Sequence, residues 1–218
     1  MIIRAEHLTK HFGHVIALDS LDLEIEEGVT LIMGPNGGGK STFLNLCAGT
    51  YRPTAGTIRV FGGDPWANEK VRVKLGVSFD PPALPKHRTG REWLEFLAGI
   101  RGSPLSDIVE AFSLMGFLNR RISTYSAGMA KRLSIASAFV GTPELILLDE
   151  PLANLDFDAI PEIASLLRRF ASEGISMVIV SHVWKPFVGF ADRAVVMAGG
   201  RVKFHGEIEE VVSALNLV

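Results

Sequence analysis

The stretch Val29-Thr-Leu-Ile-Met33-Gly34-Pro-Asn-Gly-Gly-Gly-Lys40-Ser41-Thr42 decides the fold. Its first five residues are apolar or β-branched and read as a strand, and Lys40 to Ala48 reads as a helix. Between them lies G-x-x-x-x-G-K-S, in the strand–loop–helix setting that gives this spacing its chemical meaning. Glycine lets the backbone wrap closely around an anion, so the run Asn36, Gly37, Gly38, Gly39 is expected to point successive N–H groups at phosphate. The helix that follows aims its positive end at the same spot. Lys40 is expected to reach the β- and γ-phosphates of a nucleoside triphosphate, Ser41 to offer its hydroxyl to Mg²⁺, and Thr42 to bond an α-phosphate oxygen.

Further along, Leu145-Ile-Leu-Leu-Asp149-Glu150-Pro151 is an apolar run ending in two acids. Such a run suits a strand buried on both faces. In an open α/β sheet its C-terminal end would stand beside the phosphate loop. Asp149 is then expected to hold Mg²⁺, and Glu150 to polarise an attacking water as general base. Strand-like runs at Leu21–Ile25, Thr57–Phe61, Leu75–Phe79, Glu144–Leu148, Ser176–Val180 and Ala194–Met197 alternate with helical patterns at Ser126–Val140 and Ile160–Ala171. The alternation predicts an α/β fold with a mostly parallel central sheet. The span 90–116 reads as helix, break, helix without a strand, so residues 83–140 are expected to form a helical subdomain inserted into one domain covering 1–218. A closing helix is expected over Glu207–Leu217.

The chain has 218 residues, 47% of them hydrophobic, which suits a single well-buried domain. A net charge of −2 lacks the basic signature of a nucleic-acid binder. Mean hydropathy is +0.26, yet the apolar runs are short and broken by Gly, Pro and charges. None is long enough to span a bilayer, and no charged start followed by an apolar stretch marks a leader. The single cysteine, Cys47, rules out an internal disulfide and a cysteine metal cluster. The expectation is an intracellular chain whose apolar excess is covered by a partner.

Three further segments narrow the reading. Tyr125-Ser126-Ala127-Gly128-Met129 precedes a helix and resembles the L-S-G-G-Q signature of ABC ATPases. Ala153-Asn154-Leu155-Asp156 resembles their D-loop, and Val180-Ser181-His182 their switch-histidine motif. Order and spacing match ABC ATPase domains from Leu8 to about Gly206, with the short subunits of export-type transporters the nearest impression. The resemblance implies a P-loop NTPase with an N-terminal antiparallel β region. It implies ATP and Mg²⁺ as ligands, with Phe12 stacked on adenine and with Lys40, Glu150 and His182 as the catalytic set. It implies a head-to-tail dimer, with itself or with a second ABC subunit. There Ser126, Ala127 and Gly128 meet the partner's nucleotide and Asp156 carries communication between protomers. Transmembrane permease subunits would be the other partners, at the cytoplasmic face of the membrane, with no role for nucleic acid. A soluble ABC ATPase outside transport, such as a cluster-assembly type, is the alternative.

Plainer roles stand beside these. Ser126 can cap its own helix, Phe12 can pack in the core, and Asp156 can be a surface turn acid. The chain also departs from the family pattern. Asp80 stands where the family carries Gln, and is expected either to keep a metal role at shorter reach or to have left the site. Ala127 replaces a glycine, which requires an ordinary helical φ there. Pro81–Pro85, Trp93 and Phe96 form either a docking surface for a membrane subunit or plain subdomain core.

Overall fold

The computed structural model describes residues 1–216. The chain begins with β1 (Ile3–Phe12), β2 (Val15–Ile25) and β3 (Val29–Met33), then α1 (Lys40–Cys47), β4 (Ala55–Val60), the short α2 (Glu69–Arg72) and β5 (Leu75–Ser78). Three helices follow with no strand between them: α3 (Gly90–Arg101), α4 (Ser106–Ala111) and α5 (Ala127–Ala138). The chain ends with β6 (Leu145–Asp149), α6 (Ala159–Ser172), β7 (Ser176–Val180), β8 (Arg193–Ala198), β9 (Arg201–Glu207) and α7 (Ile208–Asn216).

Every residue of β3, β6 and β7 is buried, as continuous apolar runs require when both faces of a sheet are covered. They lie inside a six-stranded sheet of order β5-β6-β7-β3-β8-β9, in which only the β8–β9 pairing is antiparallel. The strand period of two divides their side chains between two cores. Leu31, Ile146, Leu148, Met177 and Ile179 pack with the helical side, around Phe112, Phe139 and Phe170. Ile32, Leu145, Leu147, Val178 and Val180 pack on the opposite face against Phe43 and Leu44 of α1. That second core is closed by a three-stranded antiparallel sheet, β2-β1-β4.

β7 separates β3 from β6, so three parallel strands deliver their C-terminal ends to one rim. Ser181 donates its N–H to the Ile32 carbonyl (3.1 Å) and Glu150 to that of Val180 (2.8 Å), so the rim stays hydrogen-bonded past the strand ends. The helical segment starts with a reciprocal cap. Thr89 accepts from the Glu92 N–H (3.2 Å) and the Glu92 carboxylate accepts from the Thr89 N–H (2.8 Å). α5 brings the chain back to the sheet and lies against β5, where the Ser134 and Ser78 hydroxyls meet at 2.8 Å in a buried contact.

Several elements go beyond the sequence expectation. β1 mixes Arg, Glu, His and Lys with its apolar residues, because only one face is buried, and the run does not read as a core strand. β9 is an edge strand with no fully buried residue. β2 starts six residues earlier than Leu21 because it extends as a hairpin partner of β1, with Phe12 opposite Val15. The closing helix lies within the expected span; Leu217 falls outside the described residues.

Candidate active site

The loop between β3 and α1 is held by close backbone contacts. A Cβ at Gly38 would stand 2.8 Å from the Met197 carbonyl oxygen and 2.9 Å from that of Pro35. At Gly39, φ is 94° and a Cβ would meet the Ala17 carbonyl oxygen at 2.6 Å and Leu18 at 2.7 Å. Only glycine combines that left-handed backbone with that approach. The loop is therefore clamped between β2 and β8. Lys40 is nearly buried, and its ammonium donates to the carbonyls of Gly34 (2.8 Å) and Pro35 (2.9 Å). Neutral carbonyls leave its charge unbalanced, which fits an anionic ligand in the loop.

The cleft above this loop has a volume of about 390 Å³. Its floor is Asn36 to Thr42, Asp80 and Glu150 stand at its edge, and Val15, Ile16 and Ala17 of β2 line it as well. Val15 and Ile16 are largely exposed apolar residues that sequence reasoning missed. Their signal was an apolar pair at the start of a strand, which periodicity alone assigns to packing. Phe12 sits opposite Val15 in the hairpin and is 43% exposed, so core packing does not account for it. Its ring meets Tyr51 edge-on at 5.3 Å, with the Lys10 ammonium 4.9 Å from its centre.

The acidic strand end faces the same loop. The Ser41 hydroxyl donates to the Asp149 carboxylate at 3.0 Å. Burial pushes the Asp149 carboxyl up to about 6; Ser41 pulls it down, Glu150 and Asp80 push it up again, and Lys131 lowers it. A hydroxyl and a carboxylate suit a hard cation that takes its remaining oxygens from phosphate and water. Among the described residues, no three His, Cys, Asp or Glu side chains form a self-sufficient metal cage. Glu150 has φ of 46°, a strained backbone for a residue with a Cβ. Its carboxylate accepts from the His182 N–H (3.1 and 3.3 Å) and lies 2.8 Å from His182 Nδ1.

Asp80 stands at the cleft edge, but its Oδ1 is paired at 2.7 Å with the Lys131 ammonium, a side chain with no exposure to solvent. Lys131 also reaches the Asp149 main-chain carbonyl at 3.4 Å. The sequence reading assigned Lys131 nothing, since a lysine in a helix reads as a solvated charge.

Ser126, Ala127 and Gly128 do not line this cleft. Ser126 caps α5 by accepting from the Met129 N–H (3.2 Å), and both it and Ala127 are exposed. Ala127 is the first residue of α5, so the alanine carries no backbone strain. Gly128 lies against the Asn154 carbonyl, which a Cβ would meet at 3.3 Å. Asp156 is exposed, and its carbonyl receives the Ala159 (2.9 Å) and Ile160 (3.3 Å) N–H groups at the start of α6. Trp93 donates to Ser137 of α5 (2.9 Å) and packs between α3 and α5, whereas Phe96 stacks on it and is 58% exposed. Cys47 is fully buried, and burial raises its thiol far above the usual range, so it is an inert core residue.

A glycine-lysine phosphate cradle on a parallel sheet, with an acidic pair one strand away, defines a P-loop nucleotide-hydrolysing domain. A sequence profile described as "ABC transporter" matches residues 18–153, and the chain belongs to that family as one of its ATP-binding, ATP-hydrolysing cassettes. It is 32% identical over 222 residues to the daunorubicin/doxorubicin resistance ATP-binding protein DrrA of Streptomyces peucetius, covering 98% of this chain and 67% of that protein. It is 34% identical over 217 residues to the bacitracin transport ATP-binding protein BcrA of Enterococcus faecalis (96% and 70%). It is also 34% identical over 215 residues to the sulfate/thiosulfate import ATP-binding protein CysA of Mycobacterium tuberculosis (94% and 61%). The chain thus spans 61% to 70% of the length of these relatives. Among solved structures, the dimeric bacterial ABC transporter cassette MJ0796 superposes with a TM-score of 0.84 at 26% identity, over 95% of this chain and 99% of that one. A post-hydrolysis state of the same cassette, bound to ADP and Pi, gives 0.82 at 26%. No helix among the described residues is long and apolar enough to cross a membrane.

Proposed function

We propose that this cassette is the ATP-driven motor of a transporter whose pore is formed by separate transmembrane subunits, acting as a peripheral protein at the cytoplasmic face. The observation that carries the proposal is the Glu150–His182 contact of 2.8 Å beside the Lys40 cradle. It joins a general base to its orienting group next to a phosphate site. Asn36 to Gly39 hold the triphosphate through main-chain N–H groups and Lys40 through its ammonium, while Thr42 bonds an α-phosphate oxygen. Phe12 offers its face to the adenine, with Val15 and Ile16 beside it. Mg²⁺, held by Ser41 and Asp149, would offset charge on the phosphate oxygens. Asp80 stands at the same cleft with its carboxylate shared with Lys131. Glu150 takes the proton of the attacking water, and His182 fixes the Glu150 carboxylate and reaches the γ-phosphate.

Two copies, or this chain and a second ABC subunit, close head to tail. The exposed start of α5 then turns Ser126, Ala127 and Gly128 toward the other protomer's γ-phosphate, with Asp156 at the contact. A hydroxyl and free N–H groups at a helix start form an anion site. Phe96 and the neighbouring prolines receive the membrane subunit. The test is the Glu150→Gln variant of the purified chain. It is expected to bind ATP, to lose turnover, and to run as a dimer with ATP and a monomer without it. Normal turnover in that variant would remove the general-base role, and a persistent monomer with ATP bound would remove the dimer.

A further inference from the structure

We infer that a basic patch formed by Lys86, Arg88, Arg120 and Arg121 draws a second copy's nucleotide-loaded cleft toward the start of α5 and sets the rate at which two cassettes associate. The inference rests on the head-to-tail reading above. The four residues come from two stretches that run side by side. The Ile122 N–H donates to the Arg88 carbonyl (2.8 Å) and the Ser123 N–H to that of Lys86 (3.1 Å), while Thr89 and Arg121 form an antiparallel bridge. The second stretch continues directly into Ser126, the cap of α5, and the Arg120 guanidinium donates to the Thr124 carbonyl at 3.2 Å on the way. All four residues are exposed, as is His87 between them. Among the described residues, none of the four forms an ion pair within 4.0 Å.

The acid beside the patch is Glu92, already committed to the cap of α3. The Thr89 main chain holds its carboxyl below the usual range, and Arg88 and Arg121 add to that effect. Four fixed cations against this one acid leave a local excess of three positive charges, on a chain whose net charge is −2. On the other flank of Gly128, the stretch that begins at Asn154 carries the exposed acids Asp156 and Asp158. Positive charge is thus confined to one side of the α5 start. The complementary surface is the cleft. Glu150 lines it, Asp149 lies against Ser41, and a bound triphosphate carries more negative charge than Mg²⁺ and Lys40 cancel. Opposite potentials on two docking faces raise association rates by about 10- to 1000-fold, over a reach of about 8–10 Å at ordinary salt.

The experiment follows ATP-driven dimerisation of the Glu150→Gln chain by stopped-flow light scattering at about 50 and about 300 mM NaCl. Association is expected to slow about tenfold between the two. Adding Arg120→Gln with Arg121→Gln, or Lys86→Gln with Arg88→Gln, is expected to slow association about fivefold at the lower salt and to flatten the salt dependence. Dimer dissociation and the monomer's ATP affinity are expected to stay within about twofold. Arg120→Lys with Arg121→Lys is expected to keep the starting rate, because steering needs charge and not a guanidinium. So is Lys70→Gln with Lys203→Gln, which removes two exposed lysines on α2 and β9 and lowers the net charge equally. A rate unchanged in the Gln variants of the patch, lost in the Arg→Lys pair, or lowered as much by the Lys70 and Lys203 changes would overturn the steering role. So would patch variants that lose binding to phosphatidylserine vesicles while associating at the starting rate, which would assign the patch to a membrane surface. A Glu150→Gln chain that stays monomeric with ATP bound sinks the head-to-tail reading and this inference together; one that dimerises equally fast in every variant sinks this inference alone.

Discussion

His182 holds Glu150 twice: its ring Nδ1 lies 2.8 Å from Oε2, and its main-chain N–H donates to the same carboxylate at 3.1 and 3.3 Å. The two contacts separate cleanly by mutation. His182→Ala removes the ring and leaves the main-chain bond, so Glu150 stays near its place without its full orientation. Turnover is expected to fall by about 10²-fold, within the range for losing a group that orients a general base. ATP affinity, read by equilibrium binding, is expected to stay within about threefold. A variant that weakens binding as much as turnover would make His182 a binding residue only.

Gly39→Ala tests the cradle. Its φ of 94° and the Ala17 carbonyl oxygen at 2.6 Å leave no room for a methyl group. Backbone strain of about 1–3 kcal/mol and overpacking of similar size add to a destabilisation of roughly 2–6 kcal/mol. Urea unfolding should show it as a lower midpoint with unchanged slope, together with loss of nucleotide binding. A midpoint equal to the parent's would mean that the loop is not clamped.

Phe12→Ala separates binding from stability. The ring is 43% exposed and its main neighbour is Tyr51, so removing it is expected to cost no more than about 1.5 kcal/mol of stability. Loss of a base-stacking platform is worth about 1–3 kcal/mol, which weakens ATP binding roughly 5- to 150-fold. Inorganic triphosphate has no base, and its binding should be unchanged. Equal losses for ATP and triphosphate would take Phe12 away from the adenine.

Asp149 makes the apo protein sensitive to pH. Burial raises its carboxyl from the ordinary carboxylate range to about 6. A carboxyl held higher in the folded than in the unfolded chain stabilises the fold fully at low pH, below its unfolded value. That stability is lost as pH rises through about 6. The nucleotide-free chain is therefore expected to be more stable near pH 5 than near pH 8, by about 1.4 kcal/mol from this group. Asp149→Asn should flatten the slope in thermal scans. Mg²⁺-dependent nucleotide binding should run the opposite way and weaken below about pH 6, because the metal needs the ionised carboxylate. A slope that persists in Asp149→Asn would assign it to another group.

Local chemistry wrote the glycine-lysine loop and the acidic strand end into the chain, so both were legible without a structure. A phosphate loop needs its glycines and its lysine consecutively, and a strand buried on both faces must be apolar until it ends at Asp149 and Glu150. The expected β3 and β7 coincide with the observed strands, because continuous apolar runs bounded by turn residues leave little choice of boundary. Packing alone decided the rest. β1 hides among charges because a half-exposed strand needs only alternate apolar positions. Val15 and Ile16 become cleft residues only because β2 passes beside the loop. Asp80 and Lys131 are 51 positions apart and meet at 2.7 Å because α5 lies on β5. No spacing rule links a loop acid to a helix lysine. What brings them together is the burial of the apolar face between them, and that is a property of the folded chain.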